Sequence, residues 1–176
     1  GLKGSLNYTK SGALILTLTP NNRDISALLH FKGARFHSLI LAGLPISNLT
    51  PLKGLSIYRL DISGTLVADL SQLAGSKLQH LSCANSKVSS LAALKGMKLE
   101  SLDLTRCPLK DLRPLSEFSV KELNLSGCPA FNPLVMEKYL PRFAKLTLPL
   151  QWKVKLNAEV FNSDKISWSN AAVPIT

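Results

Sequence analysis

LKGMKLESLDLTRCPLKDLRPL, residues 94–115, places leucines at Leu94, Leu99, Leu102, Leu104, Leu109, Leu112 and Leu115. The spacing is too sparse for a coiled-coil seam, which needs an apolar residue about every 3.5 positions. A step of 21 residues from Leu102-x-Leu104 decides how it is read. Backwards it meets Leu81-x-Cys83, Leu60-x-Ile62 and Leu39-x-Leu41, and forwards Leu123-x-Leu125. Looser copies stand 23 residues outside each end, at Leu16-x-Leu18 and Leu146-x-Leu148.

Further columns keep the same step. Phe36, Ile57, Leu78, Leu99 and Val120 stand three residues before each pair. Ile46, Val67, Val88 and Leu109 follow it, weakening to Ala130. Leu28, Leu49, Leu70, Leu91 and Leu112 form another column, and Phe31, Leu52, Leu73, Leu94 and Leu115 the next. Gly33, Gly54, Gly75 and Gly96 make one more, at a corner where glycine permits a positive φ. A constant period in this range predicts a solenoid: one 21-residue unit cannot bury its own leucines, but stacked units bury them in a continuous column. The alternating L-x-L piece is a short strand with its leucines inward. Successive strands pair in parallel, and the return of about 15 residues has room for turns and 3₁₀ pieces rather than a long helix.

The pattern L-x-x-L-x-L-x-x-(T/C/N)-x-L, with returns such as SNLTPLKGL, ADLSQLAGS, SSLAALKGM and KDLRPLSEF, resembles leucine-rich repeats. The DL-x-PL return is similar to the internalin-type repeat shortened by one residue, and to short repeats that large bacterial proteins fuse to other domains, predicted serine/threonine kinases included. The resemblance covers Leu14 to Pro149. It implies an α/β solenoid of the leucine-rich-repeat kind: a right-handed superhelix with a curved parallel β-sheet of about seven strands and a mostly irregular or 3₁₀ convex side. It also implies a recognition module within a larger bacterial protein.

The chain reads as one domain, residues 1–176, with capped ends. Residues 1–20 form an N-terminal hairpin cap and first strand: Leu6 to Tyr8, a turn over Thr9 to Gly12, then Ala13 to Leu18. Residues 21–130 hold the regular repeats. Residues 131–162 hold a C-terminal helix and cap. There NPLVMEKYLPRF reads as a helix capped by Asn132 and limited by Pro141, and QWKVKLNAEVF as a strand or hairpin with Trp152 on the last layer. Residues 163–176 read as a tail or linker stub. Gly1 in place of an initiator Met leads us to expect a fragment of a longer protein, with any targeting segment outside it.

No apolar run reaches membrane-spanning length. Three cysteines, Cys83, Cys107 and Cys128, do not make a disulfide framework and lean to a reducing, cytoplasmic compartment. Cys83 replaces an inward leucine. Cys107 and Cys128 share a column with Leu44, Thr65 and Ser86, where the repeat family often has Asn bonding the turn backbone. They read as stacked structural thiols rather than a disulfide, redox or metal pair. His30, His37 and His80 show no metal-ligand spacing, and no cofactor is expected. Asp69 and Asp111, in a column with Asn48 and Ser90, read as turn caps.

By parity the concave face carries three rows. They are Ser38, Arg59, His80, Ser101, Glu122; then Ile40, Asp61, Ser82, Asp103, Asn124; then the small Ala42, Ser63, Ala84, Thr105, Ser126. Asp61 and Asp103, two strands apart, are about 10 Å from one another, too far to share a metal, and no nucleophile, oxyanion donor or phosphate loop accompanies them. The expectation is therefore not an enzyme but non-catalytic recognition of a protein or peptide through Arg59, Asp61, His80, Ser82, Ser101, Asp103, Glu122 and Asn124, by a monomer. A structural spacer or stalk is the alternative. The formal charge of +10 comes from 21 Lys and Arg against 11 Asp and Glu. Much of the excess collects on the return edge, at Lys32, Lys53 and Lys95 in one column and Arg35, Lys77 and Lys98 in the next. That edge raises polyanion binding as a second alternative. Nucleic acid is disfavoured there, because no aromatic residues interleave and no recognition helix is present.

Overall fold

The computed structural model describes residues 2–129, 143–149 and 164–169. Among them one open sheet of nine strands runs in chain order: β1 (Gly4–Tyr8), β2 (Leu14–Leu18), β3 (Arg35–Ile40), β4 (Ser56–Asp61), β5 (His80–Ser82), β6 (Lys98–Asp103), β7 (Ser119–Asn124), β8 (Lys145–Pro149) and β9 (Ile166–Ser169). β1 and β2 form the antiparallel N-terminal hairpin, and every later pairing is parallel. Between the strands from β2 to β7 the chain makes five 3₁₀ turns, Ser26–Phe31, Thr50–Leu52, Ser71–Leu73, Ala92–Leu94 and Arg113–Ser116.

The 21-residue step is the register of the sheet. Leu39 pairs with Leu60, Leu60 with Leu81, Leu81 with Leu102, Leu102 with Leu123, and Leu123 with Leu146. Each of these side chains is at most 2% exposed. The Phe36-to-Val120 column is buried too, as are the Leu28-to-Leu112 and Ile46-to-Leu109 columns, and together they form one continuous core. Phe31 heads its column half-buried, its ring 5.7 Å from that of Phe36. Burying a leucine of this kind contributes about 1.5–3 kcal/mol relative to exposure. A single turn holds too few of them to offset the entropy of ordering its backbone.

Two turn columns need a left-handed backbone. Gly33, Gly54, Gly75 and Gly96 have φ between 69° and 87°. At Gly54, φ +81° follows Lys53 at φ −60°, ψ 122°, and the Leu55 N–H donates to the Leu52 carbonyl at 3.1 Å, a type II turn that requires φ > 0 at its third residue. The second column, at the far end of each strand, holds Gly43, Gly64, Asn85, Arg106 and Gly127, with φ 55° at both Asn85 and Arg106. The short polar side chain of Asn tolerates this region, whereas Arg there carries a cost of about 1–2 kcal/mol.

Two expectations need correction. The sheet has nine strands rather than about seven, because the outer hairpin strand β1 and the strand β9 join it. Residues 163–176 are not simply a tail: Ile166–Ser169 pairs in parallel with β8, placing Leu148 beside Trp168. The cause is the alternation Ile-Ser-Trp-Ser, which lets Ile166 and Trp168 pack against the core while Ser167 faces solvent. The helix expected within 131–142, with Asn132 and Pro141 at its ends, and the cap strand with Trp152 lie outside the described residues.

Candidate functional site

Outward residues of β3–β8 make one polar face. Arg59 and Glu122 are exposed, whereas His80, Ser101, Asp61, Ser82, Asp103 and Asn124 are half-buried. The registers confirm the rows: Ser38, Arg59, His80, Ser101 and Glu122 are consecutive partners, as are Ile40, Asp61, Ser82, Asp103 and Asn124. All eight candidate residues therefore share one face.

Their chemistry divides them. Asp61, Asp103 and Asn124 are turned back on the chain. Asp61 Oδ1 accepts the Ser63 N–H at 2.9 Å. Asp103 Oδ1 accepts the Thr105 N–H at 2.9 Å and its hydroxyl at 2.6 Å. Asn124 Oδ1 accepts the Ser126 N–H at 3.0 Å and its hydroxyl at 2.6 Å. Each closes the turn two residues on, a role that suits Asp and Asn because their short side chains reach that amide. Ser82 shares a 2.8 Å hydrogen bond with Ser63 across the strands. Ser101 bonds His80 Nδ1 at 2.7 Å. Among the described residues, Arg59 and Glu122 form no side-chain hydrogen bond or ion pair, so they are the charged groups a ligand meets first.

The structure adds a row of residues that parity missed. Inward Phe36 and Leu39 are three apart, so the 21-residue step leaves room between the inward columns for a fourth row, His37, Tyr58, Gln79, Glu100 and Lys121, of which His37, Tyr58 and Lys121 are exposed and Gln79 just precedes β5. His37 stacks on Tyr58 with ring centroids 5.2 Å apart, and Tyr58 meets the edge of His80 at the same distance. The Tyr58 hydroxyl lies 3.4 Å from His80 Nε2. Tyr58 stays 41% exposed. The signal was available in the three-residue gap between the inward columns. At the other end of this row Lys121 pairs with Glu100 at 2.8 Å, an exposed contact worth little to stability.

Further along, Ser101, Asp103, Glu122 and Asn124 line a shallow depression of about 190 Å³ with Lys145 and Thr147 of β8. Lys145 and Thr147 extend the first two rows, since they pair with Glu122 and Asn124. The candidate set thus falls into an aromatic and histidine strip at one end and an acidic-to-basic depression at the other. Burial, followed by the nearby Arg59 charge, holds the His80 pKa below its ordinary value of 6.5, so its neutral form is favoured.

Behind the face sit the thiols. Cys107 Sγ donates to the Cys83 carbonyl at 3.0 Å, and Cys128 Sγ to the Leu104 carbonyl at 3.1 Å. Thr65 does the same with its hydroxyl, to the Ile62 carbonyl at 2.7 Å. All three cysteines are free and buried, and burial pushes the Cys107 thiol up to about 11 and the Cys128 thiol to about 12. A thiol held this far above neutrality is a poor nucleophile. Asn48, Asp69 and Asp111 cap the return turns, accepting the N–H groups of Thr50, Ser71 and Arg113 at 2.8, 2.8 and 2.9 Å. Among the described residues there is no cluster of three or more His, Cys, Asp or Glu able to hold a metal ion, and no helix long and apolar enough to cross a membrane.

No protein-family model matches this sequence, and no curated protein matches it.

Proposed function

We propose that the chain is a leucine-rich-repeat solenoid, a right-handed superhelix whose curved sheet binds a protein or peptide without catalysing a reaction, as one module of a larger bacterial protein. The observation that carries this is Tyr58, exposed on a sheet face and held between two histidines. Tyr gives large contact area with little rotamer entropy to lose, which is why it is enriched where proteins recognise one another. The column-on-column register supports the solenoid, and a face built of fixed strands supports recognition, because the side chains are already ordered before a partner arrives. Arg59 at one end and Glu122 with Lys145 at the other would set the orientation of an extended peptide lying across the strands.

The test uses a random peptide library selected on the immobilised chain. Selected peptides should lose about tenfold or more in affinity for Tyr58→Ala, the order of one aromatic anchor, and lose further for Tyr58→Ala with Glu122→Ala, while the melting temperature stays near wild type. Peptides that bind the double variant as well as the wild type would remove the face from the account. A spacer or stalk would yield no peptides that compete with one another for a single site.

A further inference from the structure

The basic edge of the molecule holds a feature that the sheet face does not share. A groove of about 490 Å³ runs between the turn at Lys53-Gly54 and the turn at Gly75-Ser76-Lys77. A second, of about 350 Å³, shares Gly75, Ser76 and Lys77 and continues to Lys95 and Lys98. No carboxylate lines either groove. Lys53 and Lys77 are exposed, and among the described residues neither forms an ion pair. A Cβ built on Gly54 or on Gly75 would meet nothing within 4 Å, so the backbone lies open there. Neither glycine N–H donates a hydrogen bond within the described residues.

Ser76 sits where the two grooves meet. It lines both grooves, and its hydroxyl oxygen is buried with no hydrogen-bonding partner. A buried hydroxyl left unsatisfied is costly, and native structures rarely keep one without a reason. One turn further on, the same surroundings are closed: the Gly96 N–H donates to the Glu117 carbonyl at 2.8 Å, and Lys95 pairs with the Glu117 carboxylate at 3.2 Å. The turn at Gly96 is thus closed, while the Gly33 N–H, like those of Gly54 and Gly75, donates no hydrogen bond within the described residues; what sets the Lys53–Lys77 groove apart is Ser76.

Lysines and open amides line the groove, a hydroxyl lies beneath its surface, and no carboxylate competes. Phosphate and sulfate groups are the complementary chemistry, rich in acceptors and fully ionised at neutral pH. We propose that the groove between the Lys53-Gly54 and Gly75-Lys77 turns is an oxyanion site for a phosphate- or sulfate-bearing ligand, held by Lys53, Lys77 and the Gly54 and Gly75 amides, with the buried Ser76 hydroxyl joining them by turning about its Cα–Cβ bond into the groove. It is separate from the recognition face and uses none of its residues, so either proposal can fail without the other.

The test is calorimetric titration of the full chain at low ionic strength with inorganic pyrophosphate and, separately, with a heparin hexasaccharide. Saturable one-site binding of at least one probe is expected, and the tighter of the two identifies the phosphate or sulfate source. Lys53→Gln with Lys77→Gln should weaken it by about tenfold or more, the order of one charge-assisted hydrogen bond. Lys32→Gln with Arg35→Gln, on the same edge but outside the groove, should leave it unchanged. Ser76→Ala should weaken it severalfold without lowering the melting temperature of the unliganded protein. The site is overturned if neither probe binds saturably, if the Lys32 and Arg35 pair matters as much as the groove pair, or if Ser76→Ala leaves affinity unchanged, since each result reduces the edge to diffuse charge.

Discussion

Replacing Asp103 by Ala removes one acceptor oxygen that serves two donors, the Thr105 N–H at 2.9 Å and the Thr105 hydroxyl at 2.6 Å. Hydrogen bonds to an ionised group contribute about 1.5–3 kcal/mol each when well shielded. Asp103 is half-buried, and the freed hydroxyl can turn to water, so the two bonds together are worth less than their sum. Capping residues at helix starts, which do the same job, cost about 0.5–2 kcal/mol when removed. We expect Asp103→Ala to lose about 2 kcal/mol, or about 4–8 °C in melting temperature for a chain of this length. Asp103→Asn keeps the oxygen where it is needed, as Asn124 does one turn later, and should lose about 0.5 kcal/mol or less. Urea unfolding of the two variants with unchanged m-value is the assay. If Ala and Asn prove equally harmful, or both harmless, Asp103 is not a turn cap, and the division of the face into structural and ligand-facing residues is wrong.

Leu102→Ala, in a side chain 1% exposed between Leu81 and Leu123, should cost about 3 kcal/mol in urea unfolding, and a loss under about 1 kcal/mol would mean the ladder does not pack as one core. Native protein at pH 8 should react with a thiol reagent at none of its three cysteines within minutes and at all three in urea, because each is buried and its thiol is held above the ordinary pKa. Hydrogen bonds from the hydroxyl and amide of Ser71 lower the Asp69 pKa, and the Arg113 and Ser26 amides do so for Asp111 and Asp24. Their folded pKa values lie below the unfolded ones, so their contribution is complete above about pH 4 and lost as pH falls through the folded values. Replacing all three by Asn should flatten the acid limb of the stability curve below pH 4, which thermal melts from pH 2 to 5 would show.

Local cues and long-range contact divide the molecule unequally. The inward columns, the corner glycines and the caps at Asn48, Asp69 and Asp111 were legible, because each answers to a strictly local demand repeated every 21 residues. The cap role of Asp61, Asp103 and Asn124 was not. A carboxylate on an outward strand position looks the same in sequence whether it faces a ligand or its own turn, and only the distance to the amide two residues on separates the two. Tyr58 escaped because strict alternation was applied across a gap of three.

The amino-acid sequence by itself determined the sheet order, the register and which face is apolar, since a period of 21 admits one stacking that buries every leucine column at once. Tertiary structure alone decided which polar residues are spent on the fold and which stay free: the approach of His80 to Tyr58 and Ser101, the recruitment of Ile166–Ser169 as the last strand, and the lone hydroxyl of Ser76 between two lysine-lined grooves. The physical reason is range. Burial of a repeated side chain is a property of the pattern, whereas a hydrogen bond exists only within about 3.5 Å, a margin finer than sequence spacing can specify.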